Sequence, residues 1–531
     1  MKRLAIYGIV SVLFLAVAGL VGIFAIGFGG AADLASAMPV ERAPRIRPDY
    51  SDTVIPPNIA PLNFLVEEPG TDYRARIRAD GGQALDVASR HGSIEIPLRP
   101  WQKLLDANRG RKLSFEVFVR RADGQWTRFK PLVNTIADAD IDRYVCYRLI
   151  KPIYIVRTNV GIYQRDIQTY DESVVVSNQS FGRGGGCVNC HTFAPRHPDQ
   201  MILHARGTGE ISDLNGMVVV RQGRVIKVDS RKLVRDAESD RGRVTKSLAG
   251  YIAWHPHGRL ATFVAGDMIQ FFHSVGENRD VFNIESDLAL YDADANTVTT
   301  APQISDPDRV ETFPTWSPDG RYLYFCSTDP LPVERHREVR YDLMRVSYDA
   351  DSQRWGEVEP VLLAKDTGLS IAEPRVSPDG RWLLFCMSEY GEFPVFQPSS
   401  DLYLMDLSTR RYTRLEINSP RSESWHSWSS NSRWIVFASK RRDGVFARLY
   451  FSFVDDQGRV HKPVLLPQQD PTFYDRFLKT YNAPELTPAP VPATERAIVQ
   501  AICGSDLVAN VDPGTGNNGT FPPIGNQTPN R

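Results

Sequence analysis

A ten-residue phrase occurs four times between residues 254 and 437, and its period restricts the folds open to the chain. Trp254-His255-Pro256-His257-Gly258-Arg259-Leu260-Ala261-Thr262-Phe263 returns as Trp316-Ser317-Pro318-Asp319-Gly320-Arg321-Tyr322-Leu323-Tyr324-Phe325 and as Val376-Ser377-Pro378-Asp379-Gly380-Arg381-Trp382-Leu383-Leu384-Phe385. A degraded copy begins Trp428-Ser429-Ser430-Asn431-Ser432-Arg433, and successive starts lie 62, 60 and 52 residues apart. Each copy reads as a turn followed by an apolar strand, with Asp-Gly or its substitute supplying the positive φ that a tight turn needs. A further strand follows in the units at residues 287–291, 342–346 and 401–405. A four-stranded unit repeating at this period is a propeller blade.

The phrases resemble the W-S-P-D-G-[KR] blades of TolB-like propellers over residues 202–469, about half of the chain. The resemblance implies a propeller of five or six blades across residues 206–482, with residues 216–230 as a diverged first blade. It carries architecture only.

A second motif carries chemistry. Gly184-Gly185-Gly186-Cys187-Val188-Asn189-Cys190-His191 contains C-x-x-C-H, which reads as a c-type haem attachment site. Two thiols at this spacing add to the two vinyl groups of one porphyrin, and His191 becomes the proximal iron ligand. A zinc site needs a second Cys or His pair, and the chain holds no other C-x-x-C. A thioredoxin-like pair needs a helix after it, whereas Pro195 and Pro198 follow here. One haem c, held by Cys187, Cys190 and His191, is therefore expected.

The N-terminus points to export. Lys2 and Arg3 precede an uncharged run over residues 4–32, and Asp33 is the next charge. At 1.5 Å per residue, residues 4–28 are long enough to cross a hydrocarbon core of about 30 Å. The charge order places the bulk of the chain in the periplasm. Ala35-Ser36-Ala37 offers a cleavage site, but the run exceeds a signal-peptide core, so a retained single-pass anchor in the cytoplasmic membrane is the expectation. Anchor, β-domain, C-V-N-C-H-T-F and propeller together resemble a family of bacterial TolB-like proteins with a single haem motif. That resemblance implies haem attachment outside the cytoplasmic membrane. The other cysteines, Cys146, Cys326, Cys386 and Cys503, are too dispersed for a disulfide framework, and Cys326 and Cys386 read as buried free thiols. With 62 Lys and Arg against 63 Asp and Glu, no charge excess suggests nucleic acid as a partner.

The fold class expected is mainly β, in six parts. Residues 1–32 form the transmembrane helix and 33–60 a Pro-rich spacer without a core. Residues 61–154 alternate with period two and read as a small β-sandwich-like domain, interrupted by one helix near Trp101. Residues 155–205 form a haem segment, 206–482 the propeller, and 483–531 a Pro-rich linker, a short helix and a flexible tail.

The occupant of the sixth iron position separates a carrier from a catalyst. Met201 and His204 follow the proximal ligand closely, and on a strand they face opposite sides, so only one of them points at the iron. The expectation is His204, or failing it Met201. Function is then expected to be electron transfer, as a component or docking partner of a respiratory or photosynthetic membrane redox complex met through the propeller and tail. The alternative is a scaffold or assembly subunit whose haem is mainly structural. No convincing nucleophile arrangement marks an enzyme, and His255, His257, His273, His336 and His426 read as ordinary polar or core histidines.

Overall fold

The computed structural model describes residues 34–151, 159–182, 185–195, 197–207, 209–229, 247–272, 279–505 and 507–511. The expected membrane segment and His273 lie outside them. Among the described residues no helix is long and apolar enough to cross a membrane.

The first half begins with a seven-stranded sheet beside a three-stranded one. Strand Asp72–Ala79 pairs antiparallel with Lys112–Arg120 throughout its length. Tyr73, Ala75 and Ile77 alternate inward opposite Val119, Val117 and Phe115, which is the period-two pattern of the sequence. Helix Leu98–Asp106 lays Trp101, Leu104 and Leu105 into this core, and the Trp101 indole N–H donates to the Ile59 carbonyl at 2.9 Å. Residues 33–60 depart from the expected spacer. Met38–Val40 and Val54–Ile55 each add a strand to the larger sheet, and Tyr50, Ile55 and Ile59 are buried. The prolines are tolerated because these are short edge strands, where a missing N–H costs no ladder bond.

Six further sheets form a ring, counted here as blades 1 to 6. Their innermost strands are Thr480–Thr487, Cys187–Ala194, Ser247–Trp254, Val310–Trp316, Ser370–Val376 and Glu423–Trp428. Each contacts the next, and the last contacts the first, so the ring closes. This is a β-propeller arrangement, at the upper of the two blade numbers expected. Closure joins the two ends of the domain: Thr480–Thr487 pairs antiparallel with Tyr144–Ile150, the second strand of blade 1. Apolar layers separate neighbouring blades, as where Leu288 and Leu290 of blade 3 meet Leu323 and Phe325 of blade 4.

The repeated phrase works as a set of side-chain-stabilised turns. In blade 4 Ser317 Oγ donates to Asp319 Oδ1 at 2.6 Å, while the Arg321 and Tyr322 N–H groups donate to Asp319 Oδ1 and Ser317 Oγ at 3.1 and 2.9 Å. Gly320 takes φ +73°. Blade 6 rebuilds the turn with Asn431 as acceptor and Ser432 at φ +61°. The phrase had degraded in letters but not in hydrogen bonding.

Residues 155–205 do not stand apart as a haem segment: they supply outer strands of blade 1 and the inner pair of blade 2. Likewise, residues 483–487 are strand rather than linker. Helix Glu495–Cys503, capped by the Thr494 hydroxyl accepting from Ala497 N–H at 3.3 Å, buries Ile498 and Ile502 against blades 1 and 2.

Candidate functional site

The C-x-x-C-H motif occupies the innermost strand of blade 2, facing the propeller axis. Gly185 and Gly186 lead into it with φ +109° and +90°, a backbone path that side chains with a Cβ disfavour. Within the strand, Asn189 pairs with His204 and Thr192 with Ile202, so Cys190 and His191 together oppose one residue and form a bulge.

The same bulge recurs around the ring. It leaves out Tyr251-Ile252, Phe313-Pro314, Glu373-Pro374 and Ala483-Pro484, and in blade 6 the register slips at Trp425. Tyr251, Phe313, Glu373, Trp425 and Ala483 all take φ between +44° and +54°. Proline sits readily at the second position because a bulge residue owes no ladder bond. In blade 2 that position holds His191, whereas in blade 6 only Trp425 is left out and the next residue, His426, pairs with Phe437.

His191 is buried and lines a cavity of about 310 Å³ at the channel, together with Tyr251, Arg375, Trp425, His426 and Glu485. Neither imidazole nitrogen makes a hydrogen bond, although the Cys146 backbone is close enough to act on the ring. Burial pushes the His191 pKa down to about 4, and the charges of Arg148 and Arg375 add to that shift. The ring is thus neutral at pH 7 and keeps a lone pair. Two unpartnered nitrogens on a buried, neutral imidazole form a donor set that fits a metal ligand, since buried polar atoms are otherwise almost always satisfied. Cys187 is half-buried and free of any disulfide.

The surroundings are polar on one side. Glu485 of blade 1 accepts from the Thr192 hydroxyl and the Phe193 N–H, each at 3.2 Å, and fastens the strand just past His191. Burial raises its carboxyl to about 7, with Arg375 pulling the other way. Arg148 donates to Asn189 from the neighbouring blade.

The two expected distal ligands lie on the second strand of blade 2, and neither lines this cavity. Met201 is fully buried in the apolar layer with Val188, Phe193 and Leu203. His204 faces the other way, with Nδ1 accepting from Arg206 Nε at 3.0 Å. Burial and the Arg206 charge hold its pKa well below the usual value. The alternation predicted for these two residues is present. Among the remaining histidines, His255 directs Nε2 to the Gly320 carbonyl at 3.1 Å and serves the contact between blades 3 and 4.

No protein family and no curated protein sequence matches the chain. Solved structures similar to it include hydrazine synthase of Kuenenia stuttgartiensis, with TM-score 0.41 and 10% identity over 67% of this chain and 48% of that one. Prolyl oligopeptidase B of Galerina marginata gives TM-score 0.33 and 11% identity over 66% of this chain and 42% of that one. A nidogen/laminin complex chain gives TM-score 0.33 and 9% identity over 60% of this chain and 98% of that one. The chain thus spans about half the length of the hydrazine synthase chain it matches.

Proposed function

We propose that the chain is a membrane-anchored periplasmic cytochrome carrying one haem c, bound through Cys187 and Cys190 with His191 as proximal ligand, and that it transfers electrons as part of, or docked to, a membrane redox complex. The observation that carries this reading is the meeting of a C-x-x-C-H motif with a buried, neutral His191 whose two ring nitrogens have no partner. A haem at this position supplies reversible one-electron chemistry. The chain's own residues supply the rest. The bulge at Cys190-His191 takes the His191 backbone out of the sheet ladder, and Glu485 holds the following backbone in place. Arg148 and Arg375 put positive charge beside the cavity, which suits an anionic cofactor.

A second reading, favoured by the positions of Met201 and His204 away from the cavity, is a haem centre with one iron position open to a small ligand. Full-length protein exported from a haem-attaching host separates these readings. The carrier reading expects haem peroxidase staining on a denaturing gel, reductive titration with one electron per chain, and no carbon monoxide difference spectrum. Prompt carbon monoxide binding by the reduced protein supports the open centre. An unstained band from correctly exported protein refutes both.

A further inference from the structure

Across the channel wall, blades 5 and 6 bring together three side chains that the haem reading leaves unused. Glu373 comes from the bulge of the innermost strand of blade 5, Cys386 from the strand behind it, Trp382–Ser388, and His426 from the innermost strand of blade 6. All three are buried. Cys386 Sγ lies 3.6 Å from Glu373 Oε2 and 3.7 Å from His426 Nδ1, and His426 Nδ1 lies 3.9 Å from Glu373 Oε2.

We propose that Glu373, Cys386 and His426 form a three-ligand binding site for a divalent ion of the zinc class. Bonds of about 2.3 Å to sulfur and about 2.0–2.1 Å to nitrogen and oxygen, at tetrahedral angles, place the donor atoms about 3.3–3.6 Å apart. The three separations here approach one face of that tetrahedron without rearrangement of the backbone. The His426 tautomer is set correctly: Nε2 lies 3.1 Å from the Leu384 carbonyl and donates to it, leaving the Nδ1 lone pair facing Cys386 and Glu373. Glu373 Oε2 is oriented by the Trp425 N–H at 2.5 Å, while Oε1 is buried with no hydrogen-bond partner. The hydrogen bonds of the triad all fall on Oε2 and leave Oε1 unsatisfied, an oxygen that a cation bound by both carboxylate oxygens would satisfy.

The donor types select among metals. One sulfur, one imidazole and one carboxylate make a borderline set, suited to zinc rather than to the all-oxygen cations or to an all-sulfur site. Thiolate and carboxylate together neutralise a divalent charge, and His426 adds a neutral donor through Nδ1 while Nε2 is engaged by the Leu384 carbonyl. Metal ligation by a thiol and a carboxyl takes both as anions, so binding strengthens as pH rises. His426 also lines the channel cavity, which gives the ion a route in and leaves a fourth position for water.

The test uses full-length exported protein, stripped with a chelator and equilibrated with zinc chloride. The expected result is one zinc per chain, and zinc-edge X-ray absorption, which does not see haem iron, showing one sulfur at about 2.3 Å with nitrogen or oxygen neighbours. Cys386→Ser removes the sulfur shell. Glu373→Gln weakens zinc binding by at least the roughly 10–100-fold that loss of an outer-shell partner already costs. Circular dichroism of both variants shows whether the ring has folded. If Cys386→Ser fails to fold, the wild-type absorption edge decides alone. Zinc bound without sulfur, or no zinc above the Cys386→Ser level, overturns the site whatever the haem content.

Discussion

Replacing Tyr481 by Ala tests whether the C-terminal strand holds the ring shut. Tyr481 is 1% exposed and lies on the strand that joins blade 1 to the end of the domain. Its ring packs edge-on against Tyr147 at 4.9 Å and, tilted, against Phe477 at 5.5 Å. Deleting a buried aromatic side chain costs about 3–5 kcal/mol through lost transfer energy and the cavity left behind. The edge-on pair accounts for roughly 1 kcal/mol of that. Tryptophan fluorescence during urea unfolding is the assay, because Trp254, Trp316, Trp355, Trp382, Trp425, Trp428 and Trp434 all lie in blades 3 to 6. A closed ring unfolds as one body, so damage at blade 1 must move the transition those residues report. Tyr481→Phe keeps the ring and stays within about 1 kcal/mol of wild type. Leu478→Ala in the same segment, at a side chain that is 67% exposed, changes stability by about 0.5 kcal/mol or less. If Tyr481→Ala moved the transition no further than Leu478→Ala, the strand would not be the closure.

Two other outcomes follow from buried groups. Burial raises the Glu392 carboxyl from 4.5 to about 7, against the Asn283 amide donating to it at 2.7 Å. Between those pH values the unfolded chain loses the proton and the folded chain keeps it, so this group's contribution falls as pH rises through the window and stays lost above it. Glu392→Gln, which does not titrate, should gain on wild type by up to about 3 kcal/mol between pH of about 4.5 and 7, and parallel stability curves from urea titrations would refute this. Cys146 and Cys326 are fully buried, with thiols pushed well above their usual range, so neither should react with iodoacetamide until the protein unfolds. Mass spectrometry after native alkylation reads this directly, and modification of either residue in folded protein would contradict the packing.

Four blades were legible because their turns need particular side chains. Ser317, Asp319 and Gly320 each make a specific bond or hold a specific φ, so selection for the turn leaves letters behind. Blades 1 and 2 have lost those letters, but a shorter trace remains. Each channel bulge is followed by a large apolar residue two or three positions on, and then by x-Pro in five blades: Phe193-Ala194-Pro195, Leu486-Thr487-Pro488, Trp254-His255-Pro256, Trp316-Ser317-Pro318 and Val376-Ser377-Pro378. Seen that way, the haem motif runs into the first copy of the repeat rather than preceding it.

Closure was illegible for a different reason. Pairing of Thr480–Thr487 with Tyr144–Ile150 spans more than three hundred residues, and no local pattern encodes a partner that distant. The prolines at 484 and 488 argued for a linker, yet Pro484 sits in the bulge, where its missing N–H is harmless. The chemistry-bearing residues divide the same way. Cys187, Cys190 and His191 announce themselves by spacing, whereas Glu373, Cys386 and His426 meet only through blade packing and share no sequence window.

The measurement closest to the central claim is peptide mass spectrometry of the exported full-length protein across residues 187–191. The account predicts that the peptide holding Cys187 and Cys190 carries the added mass of one haem bound through both sulfurs, and that Cys187→Ser/Cys190→Ser loses it. Recovery of that peptide unmodified, with both thiols free to alkylate, from a host that loads haem onto another C-x-x-C-H protein would contradict it.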